Sequence, residues 1–90
     1  MSELGVFAGE FIGTFILVIA ILQSGNPYVI AAAFLAAISI IGAVSGGHIN
    51  PVVTIVSFLK GSVSMSALPV YFAAQMAGGL FAYFVHKQLK

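Results

Sequence analysis

Three long apolar stretches alternate with short polar breaks along the chain, at about residues 4–22, 28–44 and 67–85. Each comes close to the ~20 apolar residues that a helix needs to cross a hydrocarbon core. Gln23-Ser24-Gly25-Asn26-Pro27 separates the first two with strong helix breakers, so these spans are predicted to be antiparallel neighbours. A fourth apolar segment, Pro51 to Leu59, sits between the second and third spans and ends at Lys60-Gly61-Ser62-Val63-Ser64, with Gly61 suited to close a helix C-terminus. At ~1.5 Å per residue it makes roughly 14 Å of helix, about half of a ~30 Å hydrocarbon core. It cannot cross. The pattern predicts an all-α membrane protein, three transmembrane helices plus one re-entrant half-helix, as a single unit over residues 1–90.

Small residues mark the faces where these helices meet. Gly5, Gly9 and Gly13 share one face of the first span, and Ala74, Gly78 and Ala82 one face of the third. Pro69 falls in the first turn of the third span, where proline is tolerated. Ala31, Ala32, Ala33, Ala36 and Ala37 make the second helix thin, which allows it to pack deep in a bundle and leaves room beside it.

The break between the second span and the half-helix reads Ser45-Gly46-Gly47-His48-Ile49-Asn50-Pro51-Val52-Val53-Thr54. Unpaired backbone groups cost several kcal/mol each in hydrocarbon, so such a break survives where it lines an enclosed, watery cavity. Asn50-Pro51 starts a helix: the Asn50 oxygen is suited to cap Val52 or Val53 N–H, and proline at N1 loses no hydrogen bond. That leaves the Asn50 amide NH2 as a fixed outward donor, reinforced by the positive end of the half-helix. Gly46, Gly47, His48 and Ile49 are expected to be extended, with their carbonyls forming a ladder of acceptors toward Asn50. Acceptors followed by a donor beside apolar walls suit a neutral hydrogen-bonding solute in single file and repel a cation. Glu10 is the acid buried in the first span. It is expected to brace the break through His48 or free N–H groups.

Composition narrows the classes. With 61% hydrophobic and 6% charged residues and a mean hydropathy of +1.18, the chain is an integral, multi-pass membrane protein rather than a soluble domain. A net charge of +1, from Lys60, Lys87 and Lys90 against two acids, excludes a nucleic-acid partner. The N-terminus lacks the basic n-region of a signal peptide. There is no cysteine, and two isolated histidines make no metal site. No nucleophile–base pair or phosphate loop is readable, so neither an enzyme nor a cofactor is expected. His48 is assigned a structural hydrogen bond, and Gln75 a helix-to-helix one.

The break resembles the first Asn-Pro-Ala loop of aquaporins and glycerol channels, the major intrinsic protein family. Ala8-Gly9-Glu10-Phe11-Ile12-Gly13-Thr14-Phe15 is similar to that family's first-helix signature, and Tyr71-Phe72-Ala73-Ala74-Gln75-Met76-Ala77-Gly78-Gly79 to its third-helix pattern. The resemblance implies that Asn50 donates to the permeating molecule, that Glu10 buttresses the loop, and that this is the N-terminal half of the family's bundle. Val52 stands where the family has alanine, at the junction of two half-helices. The resemblance places Ile30, Gly47 and Val53 at selectivity-filter positions, and the chain has no arginine to complete such a filter.

The resulting expectation is a passive channel for water or small neutral solutes such as glycerol, with the lipid bilayer as solvent. Its pore-lining residues are Gly46, Gly47, His48, Ile49 and Asn50; Pro51 and Val52 form the junction. The missing half is expected from a second copy in inverted orientation or from a complementary half-channel, since one half-helix leaves its end unpartnered. Lys60 on one side against Lys87 and Lys90 on the other sets only a weak orientation bias. The alternative is a non-conducting structural or interaction protein that keeps the fold.

Overall fold

The computed structural model describes residues 1–89; Lys90, counted above in the charge balance, lies outside them. Four helices follow one another: α1 (Glu3–Gln23), α2 (Pro27–Ser45), α3 (Pro51–Leu59) and α4 (Leu68–Leu89), the last preceded by a 3₁₀ turn at Met65–Ala67. Three helices are long and apolar enough to cross a membrane, with mean hydropathies of 2.3 and 2.2 for α1 and α2 and 1.4 for Met65–Leu89. The nine-residue α3 is the half-helix.

Local chemistry accounts for the boundaries. Ser2 caps α1 by accepting from Gly5 N–H at 2.9 Å. Gly25, at φ +66°, follows its C-terminus. Asn26 then caps α2 at Tyr28 and Val29 N–H, with Pro27 at the first helical position. α3 stops at a Schellman turn in which Gly61 N–H donates to Phe58 and Ser62 N–H to Ser57, with Gly61 at φ +88°. α4 continues past Val85 because nothing in His86-Lys87-Gln88 breaks a helix, and basic side chains suit a C-terminal turn.

The bundle is built on α1, which packs against both α2 and α4. Its Gly9 and Gly13 admit Ser45 and Ile41 of α2: a Cβ on Gly13 would stand 2.5 Å from Ile41 Cδ1. On the α4 side Gly78 is pressed against the Phe11 backbone, with no room for a methyl group. Ala74 and Ala82 are buried beside it. α2 buries only Ala37, Ile41 and Ser45, while Ala31, Ala32 and Ala36 are exposed and Ala31 borders open space beside the helix. Glycine permits a closer backbone approach than alanine, so the glycine-bearing helix takes the centre.

Candidate functional site

The break is held by the Glu10 carboxylate, which is completely buried. Its Oε2 accepts from Ser45 Oγ at 2.6 Å and from His48 N–H at 3.1 Å. Its Oε1 accepts from Ile49 N–H at 2.7 Å and from Gln75 Nε2 at 3.1 Å. Four donors fill the four acceptor sites of a carboxylate. They come from the end of α2, the break and α4, so one side chain of α1 ties three segments together. Charge-assisted bonds of this kind contribute about 1.5–3 kcal/mol each, and a carboxylate left without them in hydrocarbon is costly.

A second layer extends this support. Gln75 Nε2 also donates to Thr54 Oγ1 at 3.0 Å, linking α4 to α3. Thr54, likewise completely buried, stands 3.0 Å from His48 Nδ1, and its hydroxyl is 3.3 Å from the Asn50 carbonyl. His48 stacks on Tyr71 at a centroid distance of 4.5 Å, and Tyr71 donates to the Ser45 carbonyl at 2.7 Å. The His48 ring is bonded to Thr54, and only its backbone reaches Glu10. Gln75 joins α4 to α1 and α3. Ser45, Thr54 and Tyr71 were not identifiable from the pattern alone; the signal available was polar residues at the borders of an apolar chain, and it did not say which would meet.

Gly46 to Ile49 are not extended, which corrects the expectation. Gly46 and Gly47 have φ of +91° and +67°, and Ile49 has φ +56°. These left-handed residues curl the segment so that successive N–H groups, those of His48 and Ile49, converge on Glu10, as in an anion-binding nest. Gly46 doubles as the left-handed cap of α2, donating to the Gly42 carbonyl. Glycine takes this conformation freely. Ile49 does not: a left-handed β-branched residue costs roughly 1–2 kcal/mol, and the bond to Glu10 and a buried side chain hold it there. The carbonyls of Gly46 to Ile49 accept no bond from any other described residue.

Beyond the turn, Asn50 Oδ1 accepts from Val52 N–H at 2.8 Å, capping α3 with Pro51 at N1. The amide NH2 donates to no described residue, and Asn50, Pro51, Val52 and Val53 are exposed. A cavity of about 370 Å³ beside this cap is lined by Leu17, Pro27, Ile30, Ala31, Phe34, Ile49, Asn50 and Val53. Asn50 is its one hydrogen-bonding side chain. A separate cavity of about 370 Å³ on the other side of the turn is lined by His48, Gly46, Tyr71, Ser62 and Ser64 among others. The three filter positions are thus divided. Ile30 and Val53 share the Asn50 cavity, whereas Gly47 faces Ile38 and Gly42, roughly 12–18 Å along α2 from Ile30. One copy does not close a ring from all three, because Gly47 packs on the α2 surface outside the cavity that Ile30 and Val53 line.

Comparison with known proteins places this architecture. The model of the major intrinsic protein family matches residues 23–90, most of the chain. The chain belongs to the major intrinsic protein family. Among its relatives, human Aquaporin-9 is 38% identical over 86 residues, covering 77% of this chain and 28% of the relative. The probable aquaporin NIP7-1 of Arabidopsis thaliana is 30% identical over 99 residues, 94% of this chain and 36% of the relative. Aquaporin TIP1-2 of Zea mays is 40% identical over 52 residues, 58% of this chain and 20% of the relative. The chain therefore spans a fifth to little more than a third of the length of these relatives. No solved structure matches it. Family membership and the three apolar helices together make it an integral, multi-pass membrane protein with half of an aquaporin-like bundle.

Proposed function

We propose that the chain is one half of a passive channel for water or small neutral solutes, completed by an inverted copy of itself or by a complementary half. The observation that carries this reading is the Asn50 cap. Its oxygen is committed to Val52 N–H, so its NH2 faces the cavity as an oriented donor at the positive end of α3. A solute oxygen gains a hydrogen bond there, and a cation meets repulsion. The unpaired carbonyls of Gly46 to Ile49 supply acceptors on the approach, now along a curled path. Apolar walls from Leu17, Ile30, Phe34 and Val53 hold little competing water.

The exposed end of α3 supports the need for a second half. Val52 is 64% exposed and Val53 44%, at a helix N-terminus that has no cover from its own chain. A two-fold axis in the membrane plane would offer Gly47 of one copy to the Ile30 and Val53 positions of the other, completing the filter that one copy leaves without Gly47. That filter is apolar and has no arginine, which favours passage of neutral solutes beyond water. Stopped-flow swelling of proteoliposomes tests conduction: the wild type is expected to swell faster than empty vesicles. Folded protein giving no such increase supports instead the non-conducting alternative. Accessibility of a C-terminal tag from both faces of the membrane tests inversion, and a tag found on a single face rules out the inverted pair of identical chains.

A further inference from the structure

The cavity on the far side of the turn from Asn50 is edged by a polar atom that the Glu10 network leaves unused. This space, of about 370 Å³, is lined by Gly46, His48 and Tyr71 among others. The His48 ring stacks on Tyr71 and is bound through Nδ1 to Thr54, but its Nε2 meets no hydrogen-bond partner among the described residues. Glycine at position 46 keeps that nitrogen open: a Cβ there would stand 3.1 Å from Nε2. What the nitrogen offers a solute depends on the tautomer, since a neutral imidazole has one N–H and one bare nitrogen.

The surrounding bonds decide the tautomer. An ionised Glu10 carboxylate can only accept, so the Gln75 group that faces it is the NH2. The same NH2 lies 3.0 Å from Thr54 Oγ1, so the Thr54 oxygen accepts there and has one proton left to give. Two acceptors compete for it. His48 Nδ1 lies at 3.0 Å and the Asn50 carbonyl at 3.3 Å, and that carbonyl already accepts from Thr54 N–H at 3.1 Å. The nearer and less occupied acceptor is Nδ1, and a neutral ring that accepts at Nδ1 carries its proton on Nε2. We infer that Thr54 is a positioning residue: its hydroxyl holds His48 in the tautomer that presents an Nε2–H donor to a permeating solute in this cavity. The inference rests on the channel reading above and adds a second oriented donor to it, across the turn from Asn50. The polarity of that donor is set at a distance, by Glu10 through Gln75 and Thr54. A solute oxygen would meet a donor at His48, then the carbonyl acceptors of the turn, then the donor at Asn50.

Imidazole nitrogen NMR of the full chain in vesicles reads the tautomer directly, with His86→Gln leaving His48 as the one labelled ring. The proton is expected on Nε2 when Thr54 is present. Thr54→Val removes the hydroxyl and is expected to populate both tautomers and to lower glycerol permeability several-fold. Thr54→Ser keeps the hydroxyl and is expected to restore both readouts. His48→Gln carries its own NH2 at about the same reach, so in that background Thr54→Val is expected to change glycerol permeability little. An equal loss in both backgrounds would mark Thr54 as merely structural and overturn the inference, as would a ring protonated on Nδ1 with Thr54 in place. If Thr54→Val does not fold, the spectrum with Thr54 present decides alone: a proton on Nε2 supports the assignment and one on Nδ1 refutes it. The spectrum does not depend on conduction. A wild type that fails to swell removes the channel reading, whereas a ring protonated on Nδ1 removes the role of Thr54.

Discussion

The chain uses one helix-starting device twice, and the two copies differ in almost everything but their local chemistry. Asn26-Pro27 starts α2 and Asn50-Pro51 starts α3; in each, the asparagine oxygen accepts from an N–H two residues on at 2.8 Å. Both asparagines are exposed. Asn26 closes a three-residue connection at the end of a spanning helix, where the headgroup region supplies partners for any free group. Asn50 follows a left-handed turn bound to a buried acid, and its helix stops at half the length of a span. The cap itself is ordinary. Position turns the second one into a candidate binding group, because an oriented donor is valuable only where competing water is scarce.

Substitutions at the two caps and their supports break this comparison in a graded way. The largest effect is expected at Glu10: Glu10→Gln places an NH2 group against N–H and O–H donors, costs about 3–5 kcal/mol as a buried network broken on one side, and abolishes swelling. Thermal unfolding in detergent together with stopped-flow swelling measures both. Asn50→Asp comes next. It keeps a cap oxygen but removes the amide donor, so permeability is expected to fall by at least tenfold with little change in melting temperature. Equal loss of permeability in Asn26→Asp would erase the distinction between the caps. Gly78→Ala drives a methyl group into the Phe11 backbone and is expected to cost about 1–3 kcal/mol by overpacking, with Gly42→Ala as the neutral control because that site is open. Asn26→Ala is expected to be the mildest, removing about 1 kcal/mol of stability and leaving permeability unchanged.

Much of this architecture was legible because it depends on local rules. Pro51 and Gly61 bracket a segment too short to span, and glycine faces on α1 and α4 mark close contacts. The site was legible only in part. Asn50 as a cap follows from its two neighbours in sequence, and Glu10 as a brace follows from the cost of burying an acid. Its four donors do not follow, since they are brought together by helix packing over separations of 35 to 65 residues. The left-handed turn was missed for a related reason. Two glycines and a proline permit extended and left-handed backbone alike, and the Glu10 carboxylate selects the second. At Ile49 sequence preference points the wrong way, because a β-branched residue is among the least suited to φ +56°.

The spread of the Glu10 partners along the chain bears on biogenesis. α1 emerges from the ribosome before α2, α3 and α4 and enters the bilayer ahead of the partners of its acid, since Ser45, His48 and Ile49 are synthesised later and Gln75 later still. Its mean hydropathy of 2.3, the highest of the three spans, offsets that transient burden. Within these four helices the network closes only when α4 docks: until then the Glu10 carboxylate lacks its bond from Gln75. A chain stalled before Gln75 would hold an acid in the membrane with one of its four donors missing.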